Sequence, residues 1–495
     1  MHQTVLRRPQ YDDLSAHSAA SRRAGEGDSL RLRIEIRDGG PLLLVNKFPH
    51  GIPAALTIVD DADGEDRGRL LAAYFGTSDT TSPTFGTAGI LGHGLRTTRT
   101  IFGTSNLEGV WRRLQAAGAE IALHTWSGGP DSAATIAEEL PELTSEFSIR
   151  HWVDHAVGSN PEDLCFRGSY PTESNPFYIL DLLEASPIEY VWVEMNLFFG
   201  FDAFRDRREL PHYCNALDDE GTPGHMWVYG RTGGVFFENY WQSFDQIISR
   251  ETIGELAWRA GLAIIYTHTC VSNYMGNDVG FVTRQGAEWV IKDRADDRFR
   301  MIADAVAEDQ LWVAPASTIF DRLLAFERLV LEEDASEQAG VKAWILRNPS
   351  GRAIQDLGIR VLDASAVWVD AAPVPIQDGS WVFVDELAPA GVVRLEVLEG
   401  SHEGSRLEKI EIHPNPIREN AAFSWASPGE RCPLSIFDLA GREVWSAIAR
   451  KAGCHRFHVT WHGRMMHGRR VPSGRYWVVV EAPEGRLRAP LIVIR

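Results

Sequence analysis

Between Leu56 and Leu331, short apolar runs of strand type alternate with segments of helical spacing, and this alternation is the tightest restriction on what the chain can fold into. Strands separated by helices cannot close as hairpins. They pair in parallel beneath the helices, and chemistry collects at their C-terminal ends. The strand-type runs are Leu56–Val59, Leu95–Phe102, Glu120–Leu123, Ser148–Val153, Tyr190–Met195, Leu262–Tyr266 and Leu311–Ala314. Helical spacing covers Leu107–Ala117 (closed by Gly118), Asp131–Leu143 (capped by Asp131 or Ser132), Asn175–Glu184, Thr252–Ala260 (closed by Gly261), Phe299–Glu308 and Ser317–Leu331. The Gly-, Ser- and Thr-rich stretch Gly76–Gly94 reads as a long loop, and 200–235 as irregular.

Several of these strands end in polar residues. Leu56-Thr57-Ile58-Val59 runs into Asp60-Asp61-Ala62-Asp63, and carboxylates next to a core are costly unless a cation or a proton offsets them. Glu120–Leu123 ends in His124, Ser148–Val153 in Asp154-His155, and Leu262–Tyr266 in Thr267-His268. A single such histidine is more often a satisfied core or surface residue. Four polar endings on one alternating framework point to a shared site, and imidazole with carboxylate suits zinc or a similar divalent ion. A carboxylate beside such an ion can take a proton from bound water while a histidine protonates a leaving group, which describes metal-assisted hydrolysis of an acyl bond.

Outside this span the texture differs. Residues 1–28 are polar and read as a poorly ordered leader without an export signal, followed by alternating strands at Leu30–Glu35 and Pro41–Asn46. From about Val341 only short alternating strands with Gly, Pro and Asp turns remain, as in small β-sandwiches; a division near Gly400–Ile412 makes two domains, at 340–405 and 408–495. A formal charge of −19 argues against nucleic acid or an anionic membrane as the main partner, and no stretch is long and apolar enough to span a bilayer. The 16 tryptophans suit sugar stacking as well as core packing, with most assigned to the core. Five cysteines without a CxxC pair exclude a thiolate zinc ribbon and leave a Cys432–Cys454 bridge open.

The order Thr57-Ile58-Val59-Asp60-Asp61, Glu120-Ile121-Ala122-Leu123-His124-Thr125 and Leu262-Ala263-Ile264-Ile265-Tyr266-Thr267-His268 resembles the polysaccharide deacetylase (NodB-homology) superfamily of carbohydrate esterases over about 45–330. The resemblance implies an α/β fold, a distorted (β/α) barrel of NodB-homology type over 29–335, acting on an acetylated polysaccharide or oligosaccharide with a divalent metal, usually Zn2+. Carried over by position, Asp60 is the general base, Asp61 and His124 are metal ligands, a metal-bound water is the nucleophile and His268 is the general acid. This sequence departs from the family pattern twice. Gly128 stands where the family has its second metal histidine, so His155 is taken as the third ligand, with His93 as a further candidate. The arginine that orients the base is either Arg150 or Arg167. A non-catalytic glycan-binding module on a degenerate deacetylase fold, or a related hydrolase of another amide or ester, are the competing readings.

The C-terminal segment has its own resemblance. His413-Pro414-Asn415-Pro416, Leu434–Val444, Val459-Thr460-Trp461-His462-Gly463 and Gly468–Tyr476 resemble the small Ig-like domain of the FlgD and type IX secretion C-terminal class, over about 408–495. The residues read as strand, Asp-x-x-Gly turn, strand and then a core tryptophan, so two small Ig-like β-sandwich domains follow the barrel. This second resemblance implies secretion or surface-attachment machinery as a partner and a place outside the cell or in its envelope.

Overall fold

A computed structural model describes residues 42–155, 160–164, 166–168, 175–192, 212–213, 227–229, 244, 248–259, 261–271 and 280–338 of the first part of the chain. Beyond these it describes 341–362, 364–377, 381–399, 410–413, 415–417, 420–426, 431–438, 442–450, 456–465, 469–482 and 485–494. The leader, the Leu30–Glu35 strand, most of 200–235 and Cys454 lie outside the described residues.

The elements alternate as expected through β1 (Leu42–Pro49), β2 (Ala55–Asp60), α1 (Arg67–Phe75), α2 (Gly89–Gly92), β3 (Thr98–Ile101), α3 (Glu108–Ala116), β4 (Glu120–His124) and α4 (Ala133–Phe147). They continue with β5 (His151–Val153), α5 (Leu180–Glu184), β6 (Tyr190–Trp192), β7 (His212–Tyr213), β8 (Trp227–Tyr229), α6 (Arg250–Arg259) and β9 (Leu262–Thr267). Then come β10 (Val282–Gln285), β11 (Glu288–Ile291), α7 (Asp293–Ala307), β12 (Trp312–Val313) and α8 (Ala316–Glu327). Helix α1 had no counterpart in the sequence reading, although Asp66 accepts a hydrogen bond from Arg69 N–H at its start and Gly76 closes it with a φ of 90°. The expected loop after it contains the single turn α2, and β10 and β11 form a hairpin across Gly286. Ser132, not Asp131, caps α4 by accepting from Thr135 N–H.

Nine strands, β2 to β9 with β12, form one sheet in which every pair is parallel except β7 with β8. The molecule is thus mixed α/β, with a parallel sheet curled into a half-barrel and several antiparallel sheets. All six residues of β2 are buried, because it is covered on both faces. Leu56 and Ile58 join the core beneath α1, α3 and α4, whereas Ala55 and Val59 join a second core with Ile319, Phe320 and Leu323 of α8. That period of two continues past the strand, turning Asp60 towards the helices and Asp61 towards the concave side.

The sheets that follow are antiparallel. Strands β13 (Val330–Gln338), β14 (Val341–Arg347), β15 (Ile354–Leu362), β16 (Ala364–Val369), β17 (Ala372–Val374), β18 (Trp381–Leu387) and β19 (Val392–Glu399) make two sheets that share one core. Their first sheet is β1-β15-β18, so the strand at 42–49, which precedes the α/β span in sequence, pairs with β15 of the segment that follows that span. The apolar run Leu42-Leu43-Leu44-Val45 fits either setting, and only the pairing decides. A further seven strands, from β20 (Glu411–His413) to β26 (Gly485–Val493), form sheets of three and four strands around a core holding Trp425, Phe457 and Trp461. Cys432 is buried there with a free thiol. Among the described residues no helix is long and apolar enough to cross a membrane.

The start of α8 rests on a largely buried acid. Glu120 Oε2 accepts from Thr98 Oγ1 at 2.8 Å and Ser317 N–H at 3.3 Å, and Oε1 lies 3.3 Å from His151 Nε2. Burial opposes the charge of Glu120, but His151 and these donors outweigh it and hold the carboxyl down at about 2. A depressed carboxyl contributes stability above its unfolded value near 4.5 that is lost as pH falls towards about 2. Urea unfolding of Glu120→Gln at pH 7 is expected to show a loss on the order of 3 kcal/mol, and the gap from wild type should shrink when the titration is repeated near pH 3. An equal gap at both pH values removes the charge from this account.

Candidate functional site

Register brings the polar strand ends together. β9 pairs with β2 along its whole length, from Ala55 opposite Leu262 to Asp60 opposite Thr267, so Asp61 and His268 emerge side by side. β4 pairs with β5 through His124 and Val153, which sets His124 beside the Asp154-His155 turn. Because all these strands are parallel, their C-terminal ends share one rim.

On the concave side Asp61 Oδ2 lies 3.0 Å from His124 Nε2 and 3.2 Å from His268 Nε2, and it accepts a hydrogen bond from Tyr266 Oη. Asp61 Oδ1 accepts from the backbone N–H of Asp63 at 2.6 Å, which curls the turn back over the site. His155 Nε2 lies 3.3 Å from Asp63 Oδ1, and its ring stands edge-on to His124 with centroids 4.8 Å apart. Phe102 packs against both rings. Asp61, His124 and His268 are buried, whereas the side chains of Asp63 and His155 are 33% and 18% exposed, so solvent reaches the cluster past those two.

Among the described residues two groups of three have ligand atoms within 4.8 Å of one another: Asp63, His124 and His155, and Asp61, Asp63 and His268. The expected trio of Asp61, His124 and His155 is not itself one of these groups: the carboxylate grouped with the two histidines is Asp63, while Asp61 Oδ2 lies 3.0 Å from His124 Nε2. His155 does take up the room beside Gly128. A Cβ built on Gly128 would stand 3.6 Å from His155 Cε1 and 2.9 Å from Phe102, and the backbone there has a φ of +74°. His93 is elsewhere, held 2.8 Å from Asp296.

The donors fit a divalent ion. His124 is buried, its Nε2 faces Asp61 Oδ2 and its Nδ1 has no hydrogen-bond partner among the described residues, and His155 Nδ1 is likewise unpartnered there. Buried imidazoles without partners are costly unless something else meets them. Burial works against the charge of Asp61, but His124 and His268 hold its carboxyl well below the usual carboxylate range, so it stays ionised. Burial acts to lower the His155 pKa, and the hydrogen bond and charge of Asp63 overcome it, leaving His155 above its ordinary value.

Asp60 points the other way. Its Oδ2 accepts from Tyr74 Oη at 2.9 Å, Arg99 Nη1 at 2.7 Å and Thr269 Oγ1 at 2.6 Å, and its Oδ1 from Thr269 N–H at 2.8 Å. The arginine beside it is Arg99, on β3, which also reaches the Asp61 carbonyl and, at 3.0 Å, Glu65. Neither expected arginine is there. Arg150 lies at the opposite end of β5, bonded to Asp321 and Glu189, which also hold Arg352 of the following sheets. Arg167 stacks over Phe177. Arg99 had one sequence signal, a charge in the middle of the otherwise uncharged Thr97–Phe102 run, where a buried guanidinium requires a carboxylate partner.

No family model and no curated protein matches the chain. Among solved structures, a T48 deacetylase with substrate is similar at 10% identity over 43% of this chain and 88% of that chain, with a TM-score of 0.20. Dimeric latent PorU from Porphyromonas gingivalis matches at 15% identity over 34% of this chain, with a TM-score of 0.16. PorZ, a surface component of the type IX secretion system of the same organism, matches at 19% identity over 34% of this chain, also at 0.16. The chain spans about a fifth of each of those two structures, 20% and 22% of their lengths. At such TM-scores these likenesses carry no argument, and the site is judged on its own geometry.

Removing Arg99 leaves the Asp60 carboxylate buried without its counter-charge. Arg99→Met is expected to cost about 3–5 kcal/mol in urea unfolding, and in an Asp60→Asn background the same change should cost clearly less. Additive costs in this double-mutant cycle would show the two residues to be energetically independent.

Proposed function

We propose that this chain is a metal-dependent hydrolase of the polysaccharide deacetylase type, removing acyl groups, chiefly acetyl, from a carbohydrate. One observation supports this reading above the others: the His155 ring stands against His124, with Asp63 in ligand range of both, in the room beside Gly128. The family resemblance has its second metal histidine at the Gly128 position. Here the next strand end supplies a histidine in its stead.

In this reading Asp63, His124 and His155 hold the cation, with Asp61 alongside. A divalent ion, zinc in the first place, supplies Lewis acidity when bound, acidifying water and polarising an acyl oxygen. Asp61 and His268, 3.2 Å apart, face each other as a carboxylate–imidazole pair. We assign the pair both the base role and, at His268, the return of the proton to the leaving group. Asp60 is not assigned the base role, because its oxygens already accept four hydrogen bonds. Its work with Arg99 is to fix the turns that carry Asp61 and His268. Phe102 packs against His124 and shields that side of its ring from water.

The same reading divides the chain into a leader at 1–28, a distorted barrel over 29–335 and Ig-like β-sandwich domains over 340–405 and 408–495, with β1 lent to the first sandwich. The C-terminal domain serves secretion or surface attachment, which puts the protein in the cell envelope or outside it.

Metal content after dialysis against zinc, measured by plasma mass spectrometry, and acetate release from acetylated oligosaccharides test the proposal together. A tightly held equivalent of zinc is expected, weakened by about 100-fold in His124→Ala and His155→Ala, with acetate release falling in step. A folded protein that binds no divalent ion and releases no acetate defeats the reading and leaves a glycan-binding module.

A further inference from the structure

The cluster contains more ligands than one cation uses. Asp63, His124 and His155 make one group within ligand range, and Asp61, Asp63 and His268 make another, with Asp63 common to both. The shared carboxylate presents its two oxygens to opposite sides: Oδ1 lies 3.3 Å from His155 Nε2, and Oδ2 lies 4.0 Å from His268 Nε2. The second group closes on itself, since Asp61 Oδ2 is 3.2 Å from His268 Nε2 and the Asp63 backbone N–H bonds to Asp61 Oδ1. A cation about 2.0–2.2 Å from nitrogen and oxygen ligands requires ligand atoms roughly 3–4 Å apart, which is the spacing here. Carboxylates that bridge two ions are the ordinary means of holding them about 3.5–4 Å apart.

We propose a second divalent-cation site, formed by Asp61, Asp63 and His268 and bridged to the first by the Asp63 carboxylate, whose occupation is inhibitory. The inference rests on the hydrolase reading above for its consequence, though not for its ligands. Two ligand sets that share one carboxylate give stepwise binding: the first ion takes the histidine pair, and the second enters against the charge of the first and binds more weakly. With the second ion seated, His268 and Asp61 are both ligands. Neither then acts on water or on the leaving group. The enzyme is therefore active with one equivalent of zinc and inactive with two, so free divalent metal sets its rate.

Isothermal titration of the metal-free full chain with zinc, followed by cobalt substitution and magnetic resonance, tests this without relying on turnover. Two equivalents are expected, the second at least tenfold weaker, with spin coupling between the two cobalt ions. His268→Gln should retain the tight equivalent and lose the second, while His155→Gln should weaken the tight one. Acetate release should rise to one equivalent and fall beyond it. Wild type that saturates at one equivalent, without cobalt coupling, overturns the second site and leaves the hydrolase reading intact. A chain that binds no metal fails both. A second equivalent that His268→Gln leaves unchanged lies at another place and also overturns the assignment. The wild-type stoichiometry and coupling decide the question even where a variant does not fold.

Discussion

A guanidinium buried in the middle of a strand is the constraint from which much of this architecture follows. Arg99 has no water to turn to, so Asp60 must face it from the helix side of the sheet, and Tyr74 and Thr269 complete the carboxylate's hydrogen bonds. Each partner comes from a different element: β2, β3, α1 and the turn after β9. The same guanidinium reaches the Asp61 carbonyl and Glu65, so both ends of the acidic turn are fixed at once. With Asp60 turned outward, strand alternation turns Asp61 inward, and β2–β9 pairing sets His268 beside it. The site on the concave side thus depends on an ion pair on the convex side that solvent never sees.

The exchange at Gly128 follows a similar economy of space. A side chain there would run into Phe102, and the positive φ would strain it. The ring of His155 lies across that room from the neighbouring strand end, with Phe102 as a common wall for both histidines. A ligand position in a parallel sheet is a place on the rim, and adjacent strand ends can supply it with equal ease.

Much of this was legible before any coordinates. Period and punctuation mark β4, β9, α3 and α8 to within a few residues, because each has one apolar face and clear end residues. The strand-end rule singles out Asp61, His124, His155 and His268 for the same reason. The facing of Asp60 and the recruitment of Arg99 are not written in local pattern. They depend on which strand lies next to β2, and β3, only four residues long, gives a weak periodic signal. Arg150 and Arg167 match a motif by residue type, yet one sits at the far end of its strand and the other on a loop aromatic. Asp63 looks like any turn acid until its own N–H is seen bonded to Asp61, which folds it over the cluster.

The pairing of β1 with β15 has a consequence for how the chain is made. Leu42 lies opposite Leu362, more than three hundred residues downstream. On a ribosome the first strand leaves the exit tunnel long before its partner exists, and it must wait through the synthesis of the whole half-barrel with one edge unpaired. Its late docking beside β15 joins the oldest described part of the nascent chain to a sheet whose other strands are made only after the half-barrel.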